Sequence, residues 1–162
     1  MRFESEAPRD LPPAPQATVP SNFTIVDVLE GGQSFQLQHA VSQLESGNII
    51  MFDNGYATRG FSRVAEFALD LDARVATLVW EYRPGAQYWG DYGGYAQALS
   101  SGNRLCMFNS AEHGSGVVNI WELTPELGNA TVVVHIQMDW IGSGMYRAMA
   151  FDSTYGEMPF TV

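Results

Sequence analysis

The run His39-Ala-Val-Ser-Gln-Leu-Glu-Ser-Gly-Asn-Ile-Ile-Met-Phe-Asp-Asn-Gly55 decides which class of fold the chain adopts. Two short runs that favour β-structure lie on either side of Glu45-Ser46-Gly47, and the second run ends at Asn54-Gly55. Short runs of this kind, bounded by Gly and Asn, are typical of strands joined by tight turns. The stretch therefore predicts two strands, over residues 37–44 and 48–53.

Similar runs continue on both sides of this stretch. Residues 62–70 read Ser-Arg-Val-Ala-Glu-Phe-Ala-Leu-Asp, in which Val64, Phe67 and Leu69 are apolar. Residues 75–82 read Val-Ala-Thr-Leu-Val-Trp-Glu-Tyr. Both runs predict strands, because β-branched and aromatic residues favour a pleated sheet. Phe23–Leu29 predicts a further short strand. Since no segment has a convincing amphipathic helical pattern, we expect an all-β fold.

The sequence also contains an internal repeat. Leu44-Glu-Ser-Gly-Asn48 returns further along the chain as Leu99-Ser-Ser-Gly-Asn103. Two strand patterns return at nearly the same spacing, Val64–Asp70 as Val118–Thr124 and Leu78–Tyr82 as Val133–Gln137. This alignment places His135 at the position that Trp80 holds in the first copy.

Four short strands in roughly fifty residues are the pattern of a β-propeller blade. We predict two four-stranded antiparallel blades, at about residues 33–83 and 92–140, with flanking strands and the start of a third unit at Met145. Propellers close with about four to eight blades, so two blades leave faces and edge strands uncovered. The sequence therefore predicts a partial propeller, which needs other chains or further blades to complete its sheet structure.

The composition excludes several classes of partner. Acidic residues number 18 and basic residues 8, all of them Arg, for a formal net charge of −10. Binding of nucleic acid or of an anionic membrane surface needs clusters of basic residues. Cys106 is the single cysteine, so an intrachain disulfide is impossible and a zinc site lacks thiolate partners. Its apolar neighbours predict a small buried side chain.

The N-terminal segment differs in composition from the rest of the chain. It holds five of the eight prolines, which disfavour sheet pairing, so we interpret residues 1–21 as an arm or linker before a domain over residues 22–162. The N-terminus as written has no apolar signal-peptide core. Asn22-Phe23-Thr24 and Asn129-Ala130-Thr131 fit the glycosylation pattern and are compatible with a secreted protein.

Several motifs, taken together, carry a family resemblance. They are His39–Gly55, Ser62-Arg-Val-Ala-Glu-Phe67, Val79-Trp-Glu-Tyr82, Leu99-Ser-Ser-Gly-Asn103 and Tyr146-Arg-Ala148. Over residues 33–151 the chain resembles the arylsulfotransferase (aryl-sulfate sulfotransferase) propeller family. The resemblance implies a six-bladed propeller that moves a sulfuryl group between phenols through a covalent sulfohistidine, without a cofactor. It also suggests an extracytoplasmic or secreted location.

The resemblance assigns roles to four residues. His39 matches a family histidine, and Arg59, with Arg63 as its competitor, matches the arginine that binds the sulfate. The family's nucleophilic histidine directly precedes Tyr-Arg-Ala, where this chain has Met145. Sulfuryl transfer needs an arginine guanidinium that neutralises the sulfate oxygens and an imidazole that attacks sulfur. A thioether cannot hold the sulfuryl group reversibly, so this resemblance implies impaired catalysis.

Each candidate also has a structural interpretation. His39 can bond a neighbouring carbonyl, Arg59 and Arg63 can be solvated in a loop, and Arg147 can bind substrate or pair with a carboxylate between blades. A Gly-rich connection carries aromatic residues that either stack on a phenolic ligand or pack between the blades: Tyr88, Trp89, Tyr92 and Tyr95. His113 is interpreted as a turn residue and His135 as a sheet histidine. Asp53-Asn54-Gly55 and the pair Asp70 and Asp72 are interpreted as turns rather than metal sites.

Two hypotheses of different classes follow. The first is an arylsulfotransferase-like propeller segment, whose family activity is sulfuryl transfer and whose catalysis is impaired at Met145. The second is a non-catalytic propeller-derived module that serves assembly or binding. The residues at positions 39 and 59 favour the first hypothesis, whereas Met145 and the small number of blades favour the second.

Overall fold

A computed structural model describes residues 23–26, 35–55, 59–112, 114–126, 130–142 and 145–151. The proposed arm over residues 1–21, both glycosylation triplets' asparagines and His113 lie outside these ranges. The described chain is all-β, with one 3₁₀ turn at Ala86–Tyr88. The strands are β1 (Thr24–Val26), β2 (Gln38–Gln43), β3 (Ile49–Asp53), β4 (Arg63–Asp70), β5 (Val75–Tyr82), β6 (Tyr95–Ala98), β7 (Arg104–Glu112), β8 (Gly114–Leu123) and β9 (Val132–Gly142).

The strands form two sheets in which neighbours in sequence are mostly neighbours in space. The first sheet has the order β1-β5-β4-β3-β2, and β2 to β5 are antiparallel. β1 pairs in parallel with β5 at the outer edge. The second sheet has the order β6-β7-β8-β9 and is antiparallel throughout. The predicted all-β class is confirmed, as are the strands at residues 37–44, 48–53, 62–70 and 75–82.

The two Ser-Gly-Asn turns have the same structure. In the first, Leu44 N donates to Asn48 O at 2.8 Å and Gly47 N donates to Leu44 O at 2.9 Å. In the second, Leu99 N donates to Asn103 O and Gly102 N donates to Leu99 O, both at 2.9 Å. Both turn glycines have a φ of 87°, which an L side chain rarely adopts. The same turn chemistry therefore produces the same connection into β3 and into β7.

The strand registers correct part of the repeat alignment. Glu66 lies opposite Ile50, and Glu122 lies opposite Leu105, so the counterpart of Glu66 is Glu122 rather than Ile120. Trp80 lies opposite Glu66, and Val134, not His135, lies opposite Glu122. A register irregularity after Glu66 recurs after Glu122. The run of three valines at 132–134 gave no alternation from which this register could be predicted.

The two sheets pack face to face around an aromatic core. The first sheet contributes Ile50, Phe52, Val64 and Trp80, and the second contributes Ala96, Cys106, Phe108, Trp121 and Leu123. The Phe52 and Phe108 rings meet edge to face at 4.8 Å. Cys106 is completely buried, as its sequence context predicted.

The opposite face of the first sheet has its own buried cluster. It consists of Met51, Ala65, Phe67, Ala76 and Leu78, against which Ile25 and Phe35 also pack. Both faces of the first sheet are therefore covered. No helix among the described residues is long and apolar enough to cross a membrane.

Candidate functional site

The edge strands β2 and β6 both contact the segment 145–151. β6 contacts both β2 and β3. Asn109 Nδ2 donates to Met145 O at 2.7 Å, and the Gln97 side chain bonds both the N–H and the carbonyl of Ala150. The rings of His39 and Tyr146 lie edge to face, with centroids 6.0 Å apart. The structure thus brings His39 and Met145-Tyr146-Arg147 into one region.

Irregular backbone positions His39 at this end of β2. Leu37 and Ala40 have positive φ values of 54° and 50°, and the register between β2 and β3 shifts between His39 and Ser42. Shifts of this kind re-aim side chains and are frequent beside functional sites. His39 lies opposite Phe52 directly before this shift, and its imidazole contacts Asn54 just after the end of β3.

Asn54 determines which nitrogen of His39 carries the proton. Asn54 Nδ2 donates to the carbonyls of Gly90 at 2.8 Å and Gly93 at 3.1 Å, which fixes the orientation of the amide. Its Oδ1 lies 2.6 Å from His39 Nδ1, and Leu37 O lies 3.1 Å from the same nitrogen. Because both partners are acceptors, Nδ1 must be the donor. Nε2 of the neutral ring then carries the lone pair, and it has no hydrogen-bond partner among the described residues.

Arg59 and Arg63 converge on one buried carboxylate. Asp53 Oδ2 accepts from Arg59 Nη1 at 2.7 Å and from Arg63 Nε at 2.8 Å. Arg59 also donates to the carbonyls of Asp53 and Phe61, while Arg63 Nη1 bonds Glu81 Oε2 at 3.0 Å. Both guanidinium side chains are 2% exposed or less. They form a buried ion-pair network at the ends of β3 and β4.

Arg147 lies against aromatic rings at the surface. Its guanidinium carbon is 5.3 Å from the Tyr95 ring centroid and 5.9 Å from that of Tyr146. Within the described ranges it forms no ion pair with a carboxylate. Since Tyr146 also contacts His39, this cation lies on the same side of the molecule as the imidazole.

The aromatic connection between the sheets packs inwards. Tyr88 meets Trp121 edge to face at 5.0 Å, and Trp89 Nε1 donates to Gly55 O at 3.4 Å. Tyr92 and Tyr95 are half-buried. The rings of Tyr88 and Trp89 therefore stabilise the contact between the sheets.

The remaining candidates lie elsewhere. His135 on β9 stacks on Trp121 at 5.1 Å, and its Nε2 bonds Asn119 Oδ1 at 2.9 Å. Asp70 Oδ1 accepts from Ala73 N in the turn after β4. The described residues contain no group of three or more His, Cys, Asp or Glu suited to hold a metal ion.

Asp53 and Asn54 have a supporting role that was not predicted from the sequence. Asp53-Asn54-Gly55 was expected to be only a turn, yet both polar side chains are completely buried. A signal was available in the repeat, because Asn109 occupies the place of Asn54 in the second copy and is also buried. A polar residue that recurs at the same strand end in both copies, next to apolar core positions, indicates a buried side chain that makes a structural hydrogen bond.

A cleft of about 760 Å³ lies beside this region, between the end of β2 and the second sheet. Its walls include Ser42, Gln43, Tyr95, Gln97 and Arg104. Glu45 also lines the cleft, and the guanidinium of Arg104 is paired with Glu66.

Comparison with known proteins places the chain in a family. The family model described as Arylsulfotransferase (ASST) matches residues 15–147. No curated protein matches the chain. The matched range includes most of the chain and contains His39, Asn54 and the segment through Arg147. This chain belongs to the arylsulfotransferase family.

Proposed function

We propose that the chain is a propeller segment of the arylsulfotransferase family that binds the sulfuryl group of an aryl sulfate at His39 and does not complete sulfuryl transfer by itself. Its two blades are residues 33–83 and 92–140, and residues 145–151 begin a third. The meander order of both sheets supports blades, as do the matched turns and the convergence of β2, β6 and segment 145–151.

The hydrogen bond between His39 and Asn54 is the observation that carries the proposal. It holds the imidazole in one tautomer and leaves Nε2 available for ligand. When Nε2 is protonated as well, the ring donates from Nε2 to an anionic sulfuryl oxygen. Tyr146 and Arg147 add an aromatic face and a cation beside it, which suits an aromatic anion.

Two features support the absence of transfer. Arg59 and Arg63, which the family resemblance offered for the sulfate, are occupied by Asp53 and Glu81. Residue 145, where the family has its nucleophile, is Met and cannot form a reversible sulfuryl adduct. Sulfuryl transfer requires both a nucleophile and neutralisation of the sulfate oxygens, so loss of either strongly lowers the rate.

Nuclear magnetic resonance of the histidine rings tests the binding step. We expect p-nitrophenyl sulfate to shift the ring signals of His39 in the full chain, while those of His135 stay unchanged. The matched variants are His39→Gln, which should abolish binding, and His135→Gln, which should retain it. An unchanged His39 ring at high ligand concentration would contradict the proposal.

Turnover is a separate measurement. With p-nitrophenyl sulfate and an acceptor phenol, we expect no p-nitrophenolate above the protein-free rate and no sulfonated residue by mass spectrometry. Activity that disappears in His39→Ala or Arg59→Ala would restore the enzyme hypothesis. Activity gained by Met145→His would identify residue 145 as the missing nucleophile.

A second candidate is a non-catalytic assembly subunit, favoured by the pairing of Arg59 and Arg63 with carboxylates. It predicts that His39→Gln changes neither folding nor association. It also predicts that the chain is not a well-behaved monomer, which size-exclusion chromatography with light scattering measures. A compact monomer that melts cooperatively would argue against this candidate.

A further inference from the structure

The outer edges of the two sheets differ in their pairing. In the first sheet, the short strand β1 pairs in parallel with β5 and covers the outer edge. In the second sheet, β9 is the last strand, and its outer edge has no pairing strand among the described residues. With 11 residues, β9 is also the longest strand that the structure describes. A long row of backbone donors and acceptors is therefore open at this edge.

The sequence of β9 lacks the features that usually prevent pairing at an edge. Natural edge strands carry Lys, Pro or bulges, or are very short. β9 contains no Lys, Arg or Pro, and its charged or titratable residues are His135 and Asp139. Its register with β8 is irregular at its start and regular from Val134 onwards. Because Val134 and Ile136 are 42% and 48% exposed, an additional strand would bury apolar surface as well as backbone groups.

The order of residues along β9 is complementary to itself in one antiparallel register. When Gln137 lies opposite Gln137 of a second copy, residues equally far from this position on either side lie opposite each other. His135 then lies opposite Asp139 of the second copy, and Ile136 lies opposite Met138, each pair occurring twice. Directly opposed side chains have Cβ atoms about 4.5–5.5 Å apart, which lets opposite charges and apolar groups interact.

The neighbouring symmetric registers lack this complementarity. A pair centred on Ile136 places Asp139 opposite Val133, and a pair centred on Met138 places Asp139 opposite Gln137. A parallel pair in register would place each Asp139 opposite another carboxylate, which is destabilising. The charge pattern of β9 therefore favours the antiparallel register centred on Gln137.

His135 is held in position for a pair with an opposing carboxylate. Its exposed ring stacks on Trp121 at 5.1 Å, and its Nε2 lies 2.9 Å from Asn119 Oδ1. Because this amide oxygen is an acceptor, Nε2 is the donor, and Nδ1 takes the second proton of an imidazolium. Nδ1 has no hydrogen-bond partner within the part of the chain that the structure describes. A carboxylate opposite His135 can thus accept from Nδ1 while the ring keeps both of its contacts with β8.

We propose that the outer edge of β9 pairs with β9 of a second copy of this chain, antiparallel and centred on Gln137. The two second sheets then form one continuous sheet with two reciprocal pairs of His135 and Asp139. β1 of a second copy is not the occupant, because it is already paired with its own β5. Further blades pack on the faces of the sheets and leave this edge unpaired, so the inference rests neither on the propeller role nor on binding of an aryl sulfate.

Spin labels on single cysteine variants test the pairing and its register. Cys106 is buried, so a cysteine introduced on β9 is labelled selectively in the folded chain. At pH 6, where histidine side chains readily take up a proton, we expect a dimer by light scattering. Labels on Gln137→Cys should lie within about 15 Å of each other, since the two residues are directly opposed. Labels on Val133→Cys should lie about 27 Å or more apart, because these residues are displaced along the strands at about 3.4 Å per residue.

Two results would overturn the proposed pairing. One is a chain that stays monomeric at millimolar concentration. The other is a dimer in which the labels at position 137 are no closer together than those at position 133, because such a dimer uses another surface or another register. The labels report on β9 alone, and no aryl sulfate is present, so failure here is distinct from failure at His39.

Charge reversal isolates the contribution of the ion pairs. Asp139→Lys places a cation opposite His135 in both pairs and should lower the association constant about tenfold or more in analytical ultracentrifugation. His135→Glu combined with Asp139→Lys restores opposite charges and should recover most of this loss. Asp72→Lys, in an exposed turn, makes the same change of charge away from β9 and should leave association unchanged. Equal effects of the Asp139 and Asp72 variants, or a folded double variant without recovery, would overturn the pairing of His135 with Asp139.

Discussion

Asp53 Oδ2 and Arg63 Nε lie 2.8 Å apart at the paired ends of β3 and β4, with side-chain exposures of 0% and 1%. The same oxygen accepts from Arg59, and Asp53 Oδ1 accepts from the backbone N–H of Gln36. One carboxylate thus connects the 59–63 segment, the start of β4 and the residues before β2. It also holds the strand end from which Asn54 reaches His39.

Replacing this carboxylate is expected to destabilise the fold. Asp53→Asn keeps the shape but leaves two buried guanidinium groups without their shared anion. Removal of one partner of a buried ion pair costs about 3–5 kcal/mol. We expect a loss of this size in the free energy of unfolding, measured by urea denaturation.

Asp72→Asn is the matched control, because Asp72 is exposed in the turn after β4. It should change the free energy of unfolding by less than about 0.5 kcal/mol. Equal effects of the two substitutions would show that the Asp53 network does not stabilise the native state.

Gly94 is required by the contact between the sheets. Its φ is 97°, and a Cβ there would collide with the ring of Phe52. Gly102 has a φ of 87° but open space around the Cβ position. Gly102→Ala should therefore cost about 1 kcal/mol from backbone strain alone. We expect Gly94→Ala to lower the melting temperature clearly more, and equal losses would refute the steric argument.

Local patterns were sufficient to predict most of the fold. The Ser-Gly-Asn turns and the β-rich runs predicted β2 to β5 with closely matching bounds, because turn chemistry and alternation are local properties. They were not sufficient at Val132–Val134, because three consecutive valines show no alternation that would indicate which of them faces which side of the sheet. The irregularity after Glu122 then placed Val134, instead of His135, at the position of Trp80.

The site was only partly predictable because its supports come from distant parts of the chain. His39 depends on Asn54, whose amide is held by Gly90 and Gly93 from a remote part of the sequence. Arg59 lies close to Asp53 in sequence, and their pairing still was not predicted, since a loop arginine has no periodic signal. Burial of polar groups is decided by packing, which a single sequence does not reveal.

The ion pair between Glu66 and Arg104 is expected to couple the two sheets. Arg104 Nη2 lies 2.8 Å from Glu66 Oε2, and both side chains are largely buried. Arg104→Ala leaves Glu66 with Asn48 alone and should cost about 1.5–3 kcal/mol. Arg74→Gln, in an exposed turn, is the control and should be nearly neutral. A double-mutant cycle with Glu66→Gln should give a coupling energy, and strict additivity would rule out a direct interaction.

Cys106 is expected to be unreactive in the folded chain and to make stability fall at alkaline pH. Burial raises the pKa of its thiol far above the ordinary value of 9.0, although nearby Arg104 opposes the shift. Iodoacetamide at pH 8 should therefore modify the native chain much more slowly than the chain in urea.

Above pH 9 the unfolded chain releases a proton that the folded chain retains, so the free energy of unfolding should fall by up to about 1.4 kcal/mol per pH unit. Burial also raises the pKa of Tyr82, so Cys106→Ala is the necessary comparison, because it removes only the contribution of the thiol. An alkaline slope that is the same in both chains, or equal labelling rates with and without urea, would show that the thiol is accessible in the native state.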